Sequence, residues 1–323
     1  MTPIRWAALA IVLVVVAIAG VMLGTMRLPP ADVLRALVGE GTPVEVAVVR
    51  ALRLPRVVLA AIVGAGLGAA GAALQGATRN GLAEPYLLGV SGGAAVGAVI
   101  AVALHAPPIV IPLAGFGGAL AAIALTLVVA RAAGGHGDAR VVLMAGVVVG
   151  AFANAAIMVA LANAQDNVVR GALWWMMGSV SDASWPQVRV ASAYVAVGIV
   201  VLLALSRAID VLALGEDTAA GLGVRVARVS FSVYVAAALL AAGTVAAAGL
   251  VGFIGLLVPH LVRTAGARTH RAIIGAAALA GAALVVAADL IARTARPPAE
   301  LPLGAVTAII GVPFFLARLR RLT

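Results

Sequence analysis

Apolar residues occupy this chain in long unbroken blocks, cut by short clusters of arginine, proline, glycine and acidic residues. The blocks show no period-two alternation, so they predict helices rather than the strands of a membrane barrel. A helix needs roughly 20 residues to cross a bilayer core. By that measure about ten spans are expected, at 6–24, 57–76, 87–104, 110–130, 141–162, 189–207, 229–248, 250–263, 272–292 and 303–318. The eighth is short and interrupted by glycine and proline. An even count puts both termini on one side of the membrane. Five spans in each half, 1–165 and 166–323, would relate the halves as an inverted repeat.

The stretch 53–104 carries the most detail. Gly64, Gly68 and Ala72 fall four apart, as do Gly89, Gly93 and Gly97. Each helix therefore carries a strip without side-chain bulk where a second backbone can approach, and both are expected inside the bundle. Arg79, Asn80, Gly81, Glu84 and Pro85 form the polar connection between them. Pro85 ends the helical pattern, and Gly81 is expected to supply the backbone angle that other residues avoid.

Other segments add to this frame. Pro29-Pro30-Ala31-Asp32 opens a short helix whose Val33, Leu34, Leu37 and Val38 are expected on one apolar face, set either along the membrane interface or against the core. Between 163 and 185, Trp174, Trp175, Met176, Met177 and Trp185 read as interface anchors or as a rim near the path of a solute, with Arg170 beside them. Carboxylates at Glu216 and Asp217 start a helix that Gly221 and Gly223 end within about two turns. That short amphipathic helix either fills a loop or docks a partner. Gly249, Gly252 and Gly255 recur every three residues ahead of Pro259 and His260, predicting a bent, closely packed helix over 250–263. His260 reads as a hydrogen-bonded structural residue beside the break, with a proton carrier or metal ligand as the alternative. Asp289 stands four residues before Arg293, a spacing at which the two can pair.

Composition narrows the class to a polytopic membrane protein. Hydrophobic residues make up 64% of the 323 and charged ones 11%, which a soluble domain of this size does not need. All 22 basic residues are arginine. Without lysine there is neither a P-loop nor a retinal Schiff base, so the chain does not bind ATP in the usual way. The absence of cysteine excludes thiol catalysis and thiolate metal sites, and the four histidines are scattered. No cofactor fingerprint or catalytic constellation is present. The charge of +10 lies in single arginines at the ends of apolar blocks rather than in a basic stripe, which argues for membrane flanks and against nucleic acid. With the N-terminus inside, 13 of the 22 arginines flank the inner side. Arg5 precedes the first block, and Arg27-Leu28-Pro29-Pro30 follows it where a cleavage site would need small residues, so a retained first helix is expected.

Several strings in the chain resemble one family. Arg53-Leu54-Pro55-Arg56, the Gly/Ala helix ending in Gln75, Arg79-Asn80-x-Leu82-Ala83-x-Pro85 and Leu88-Gly89-Val90-Ser91-Gly92-Gly93-Ala94 are similar to the signature of the FecCD family. These are the permeases of ABC importers for ferric siderophores, haem and cobalamin. Gly81 departs from the pattern, since the family usually has proline there. Matching elements follow at Trp175 to Ser179, Leu214 to Val224 and Gly252 to Arg263. The resemblance implies an all-α polytopic permease of the type II ABC importer fold. Its coupling helix would lie near 212–224, with Leu214, Gly215, Glu216, Ala219, Leu222 and Gly223 seated in a groove of a separate ATPase subunit. A periplasmic or lipid-anchored substrate-binding protein would dock on Arg53, Arg56 and Arg293. Asn80, Leu82, Gly137 and Asp138 match the family's cytoplasmic gate. The resemblance further implies a second permease chain, in a homodimer or alternatively a heterodimer, in a bacterial cytoplasmic membrane, with a metal chelate as cargo and ATP hydrolysis left to the partner. A proton- or ion-coupled secondary transporter is the alternative, and a membrane scaffold subunit a third.

Overall fold

The computed structural model describes residues 1–134 and 138–319. Helix α1 (Pro3–Met22) is followed by α2 (Pro30–Val38) and α3 (Pro43–Val46), and α3 runs through a π-helical turn, Ala47–Arg53, into α4 (Leu54–Ala77). Pro55 has no N–H to give and would break a plain α-helix here. In the π turn the N–H of Leu54 reaches back five residues to Val49 O, and the helix takes up the proline and continues. A 3-10 turn at Pro85–Leu88 leads to α5 (Val90–Ala103), α6 (Val110–Ala132), α7 (Ala139–Ala162) and α8 (Asp166–Met176). The chain continues with α9 (Trp185–Leu212), α10 (Glu216–Gly221), α11 (Val226–Ala248), α12 (Ile254–Thr264), α13 (His270–Thr294) and α14 (Leu303–Leu319).

Among the described residues seven helices are long and apolar enough to cross a membrane: α1, the continuous Pro43–Ala77 rod, α6, α7, α9, α11 and α13. α5, α12 and α14 are apolar and shorter. Together they fill the ten positions expected from the hydrophobic blocks, and the chain is an all-α, multi-pass membrane protein. The rod that ends in α4 is its axis: 78% of its spanning window is buried, against 11% for α1 at the flank.

Helices meet where side chains are missing. A Cβ on Gly64 would fall 2.1 Å from Gly281 O of α13, and one on Gly68 would fall 2.3 Å from Ala277 O. Gly93 and Gly97 stand as close to α6, at 2.4 Å from Gly118 O and 2.0 Å from Ala114 O. Backbones this near gain dispersion contact along their length, which is the main attraction between helices in lipid. Gly89 does not continue the strip on α5; with φ 83 it caps the start of that helix.

The expected helix over 250–263 begins late. Gly249, with φ 67, ends α11, and helix resumes only at Ile254, after Phe253 at φ 68. Of the three recurring glycines only Gly255 packs within α12, filling the notch at Gly71, whose Cβ would lie 2.1 Å from Gly255 O. Pro259 removes the N–H that would serve Gly255 O four residues back. Gln75 of α4, 2% exposed, replaces it: Nε2 donates to Gly255 O and to Leu256 O, each at 3.2 Å. Its Oε1 accepts from Arg263 at 2.6 Å. A side chain of one helix thus completes the broken ladder of another. α2 also differs from its expected single face, because Val33 and Ala36 are buried while Leu34 and Val38 are exposed. Residues 33 and 36 share one stripe and 34 and 38 another, so one stripe packs inward and the other faces out.

Candidate functional site

Two polar ends and one helix face carry the candidate chemistry. At the end holding the N-terminus, where Arg5 lies beside Gly266, α10 stands between α9 and α11. Gly215 (φ 113) precedes it and Gly223 (φ 82) follows it, and these two angles let the chain leave one span, make a short helix and enter the next. Ala219 is fully buried, whereas Leu214 and Leu222 are 64% and 63% exposed. Glu216 and Asp217 are also exposed. The six residues predicted for coupling therefore divide into a buried foot at Ala219, two glycine turns, and an outward surface of Leu214, Glu216 and Leu222.

Glu216 Oε1 lies 3.6 Å from Arg79 Nη2, which ties α10 to the turn after α4. In that turn Leu82 N donates to Asn80 Oδ1 at 2.9 Å, and Leu82 is half exposed. The positive backbone angle expected at Gly81 falls on Arg79 instead, at φ 51. Asp138 opens α7, its Oδ1 accepting from Arg140 N at 2.8 Å. Gly137 lies outside the described residues. Asn80 and Leu82 thus share one turn, and Asp138 caps a different helix.

At the opposite end Arg53, Arg56 and Arg293 come together, as the resemblance led one to expect, but all three are buried. Arg53 donates to Val21 O at 3.0 Å, to Met22 O at 2.9 Å and to Met26 O. Arg293 donates to Gly20 O at 2.7 Å and lies 3.5 Å from Asp289. Arg56 forks between Asp289 Oδ1 and Glu300 Oε1, both at 2.8 Å. The spacing of Asp289 and Arg293 was readable in the sequence; Arg56, 233 residues from Asp289, was not. Each guanidinium is already engaged in joining α1, α4, α13 and the segment after it, so contact with a partner's carboxylate, the expected role, requires that a resident partner such as the partly exposed Glu300 first be displaced. Exposed arginines at this end include Arg27, Arg35, Arg50, Arg189 and Arg296.

A further residue was missed. Asn154, near the middle of α7, is exposed on the face that also carries Val147 and Met158. An amide turned to hydrocarbon would lose its hydrogen bonds at a cost of several kcal/mol. Lipid is therefore the least favourable surrounding for this face. Its only signal was one polar letter in an apolar run. Of the paired tryptophans, Trp175 packs its ring on Gly115 while Trp174 is exposed, so the anchor reading fits Trp174 alone. Arg170 is exposed on the same helix. The His260 ring meets Phe314 edge-on, centroids 6.3 Å apart.

The model of the FecCD transport family matches residues 11–321. This chain belongs to that family. The FecCD chain is 42% identical over 275 residues to the cobalamin import permease of Halobacterium salinarum, covering 84% of this chain and 73% of that one. Identity to the hemin transport permease of Yersinia pestis is 38% over 269 residues, covering 82% and 80%. For the Fe(3+) dicitrate permease of Escherichia coli it is 38% over 272 residues and 84% of each chain. The FecCD fold here also superposes on an inward-facing metal-chelate type ABC transporter with a TM-score of 0.89 at 26% identity, over 99% of this chain and all of the other. The PsaBC structure from Streptococcus pneumoniae, at TM-score 0.57 and 13% identity, shares the fold.

Proposed function

We propose that this chain is the permease subunit of an ATP-driven importer that moves a metal chelate, of the ferric siderophore, haem or cobalamin class, into the bacterial cytoplasm. The observation that carries the reading is α10, a short helix with a buried foot that offers two exposed leucines and two carboxylates at the arginine-rich end of the bundle. Such a mixed surface suits a protein partner better than lipid. ATP hydrolysis belongs to that partner, since this chain lacks the lysine of a P-loop. The exposed Asn154 face supports a homodimer in the cytoplasmic membrane, with the solute path between the two copies.

The inverted halves, 1–165 and 166–323, also draw support. The third span of each, α5 and α12, is short and begins after a dip in the α-helical chain, a 3-10 turn at Pro85–Leu88 in one half and an open stretch at 249–253 in the other. The two dips touch: Phe253 N donates to Glu84 Oε1 at 2.9 Å, and Val251 N donates to Tyr86 OH at 3.2 Å. Half-helices that start inside the membrane are a mark of transporters built from repeats. A substrate-binding protein docks at the opposite end, steered by Arg27, Arg50 and Arg296. Its carboxylate reaches Arg56 by taking the place of Glu300, while Arg53 and Arg293 hold the base rigid. Closure of the ATPases then pulls α10, and Asn80, Leu82, Gly137 and Asp138 narrow or release the inner exit. An ion-coupled carrier would need a membrane acid that gains and loses a proton; Asp289 is held between Arg56 and Arg293, and Glu84 is held by the N–H of Phe253.

Uptake of radiolabelled ferric siderophore, haem and cobalamin into liposomes bearing this chain with its co-encoded ATPase and binding protein tests the whole reading. ATP-dependent accumulation of one of them is expected. Uptake that persists without the ATPase and collapses with an ionophore would refute it.

A further inference from the structure

We propose that Arg79 is the mechanical link between the coupling helix and the inner gate, a positioning residue that makes movement of α10 drag the turn at Asn80–Leu82. The inference rests on the reading of α10 as the element that docks the ATPase. It starts from the way α4 ends. Thr78 N donates to Leu74 O at 2.9 Å, Arg79 N to Gly76 O at 3.3 Å and Asn80 N to Gln75 O at 3.2 Å, a closure that places the residue at 79 in the left-handed region. Glycine ordinarily takes that position, because a side chain there crowds the following carbonyl. Elsewhere in this chain Gly39, Gly134, Gly223 and Gly266 do so. Arg79 and His105 are the two exceptions that follow a helix among the described residues. Gly81, two residues on, has no positive φ and nothing within 4 Å of where a Cβ would stand.

The strained position is therefore given to a long cation although a glycine lies close by, and the cation has a target. Its guanidinium sits 3.6 Å from Glu216 and above the backbone of Gly215, which comes within 3.7 Å of Nη1 at its Cβ position. The side chains of Arg79 and Glu216 are 47% and 51% exposed, so water screens the pair and it adds little to stability. Neither the backbone at 79 nor the ion pair is explained by holding the fold together. What they do together is connect the first turn of α10 to the residue beside Asn80, whose Oδ1 fixes Leu82 N.

The test uses the reconstituted complex of this chain, its ATPase and its binding protein, with radiolabelled ferric siderophore, haem and cobalamin each offered as cargo. Arg79→Gly relieves the backbone, so its melting temperature should equal or exceed that of the wild type and the ATPase should still co-purify. Uptake per ATP hydrolysed should nevertheless fall by roughly fivefold or more, the lower range of a coupling between two sites. Glu216→Arg should show the same loss, and Arg79→Glu combined with Glu216→Arg should regain at least half of the wild-type ratio. A wild-type ratio in Arg79→Gly, or a swap no better than its single parents, would overturn the link. Leu214→Asp with Leu222→Asp separates this from the underlying reading. If that pair releases the ATPase, α10 is the dock and only the link is at stake; if the ATPase stays bound, the docking reading itself falls and the link with it.

Discussion

Gly68→Ala is the sharpest test of how this bundle is held together. A Cβ at 68 would stand 2.3 Å from Ala277 O, and Cβ atoms essentially never come within 3.0 Å of another heavy atom, so α4 and α13 must part by about 0.7 Å or more at that level. The obstacle is backbone on both sides, and no rotamer change relieves it. Overpacking of this kind costs about 1–3 kcal/mol, and each kcal/mol lowers the melting temperature of a large chain by roughly 2–4 °C, which gives a fall of about 2–12 °C. Gly117→Ala is the control, because Gly117 is exposed on α6 with nothing within 4 Å of its Cβ position. Alanine there gains up to about 1 kcal/mol of helix propensity and should melt at or above the wild type. Gly64→Ala and Gly281→Ala press on the same contact from opposite sides, so the double variant should lose less than the sum of the singles. Tryptophan fluorescence of the detergent-solubilised chain during heating supplies the measurement. Equal melting of Gly68→Ala and Gly117→Ala would refute close backbone contact as the source of cohesion.

Gln75→Ala strips Gly255 O and Leu256 O of their donor and should cost about 1–3 kcal/mol in the same melting assay. Pro259→Ala returns a backbone N–H to Gly255 O, so adding it to Gln75→Ala should recover part of that loss; strict additivity would argue against the replacement. Asn80→Ala with Leu82→Ala opens the inner turn and should raise leak of cargo from sealed vesicles without ATP, whereas an unchanged leak leaves that turn as a plain connection. Glu300→Gln removes one carboxylate charge from Arg56, and the binding protein should dock more tightly in a surface-binding assay; weaker or equal docking would rule out exchange of carboxylates at this site.

Local periodicity made part of this arrangement legible. Gly64 and Gly68 announced a contact strip because residues four apart share a helix face, and Asp289 with Arg293 announced an ion pair for the same reason. The partners across space were beyond that logic. Nothing near Arg56 in the chain points to Asp289 or Glu300, and the burial that changes its expected role arises only when α1, α4 and α13 assemble. The glycines at 249, 252 and 255 misled because their interval imitates a helical face, although φ 67 at Gly249 ends one helix rather than lining another. At the turn after α4 the sequence offered Gly81 as the residue for a positive φ, and the hydrogen bonds that close the helix fell one register earlier, on Arg79.

α4 is the element that joins the two functional ends. Its outer end is pinned through Arg53 to the carbonyls of α1 and through Arg56 to Asp289 and Glu300. Its inner end carries Gln75, which completes α12, and then the turn that holds Arg79, Asn80 and Leu82. Between them Gly64, Gly68 and Gly71 set its backbone against α13 and α12 too closely for the helix to bend alone. A displacement at either end must therefore move α4 with its neighbours as one body, and the proposed alternating access draws its freedom from the less enclosed helices, α1, α6, α7 and α9. Substitutions then separate by place. Those in the glycine strip should lower the melting temperature, while those at Arg79, Glu216 or Glu300, where side chains are partly in water, should change coupling or docking in a protein that melts as before.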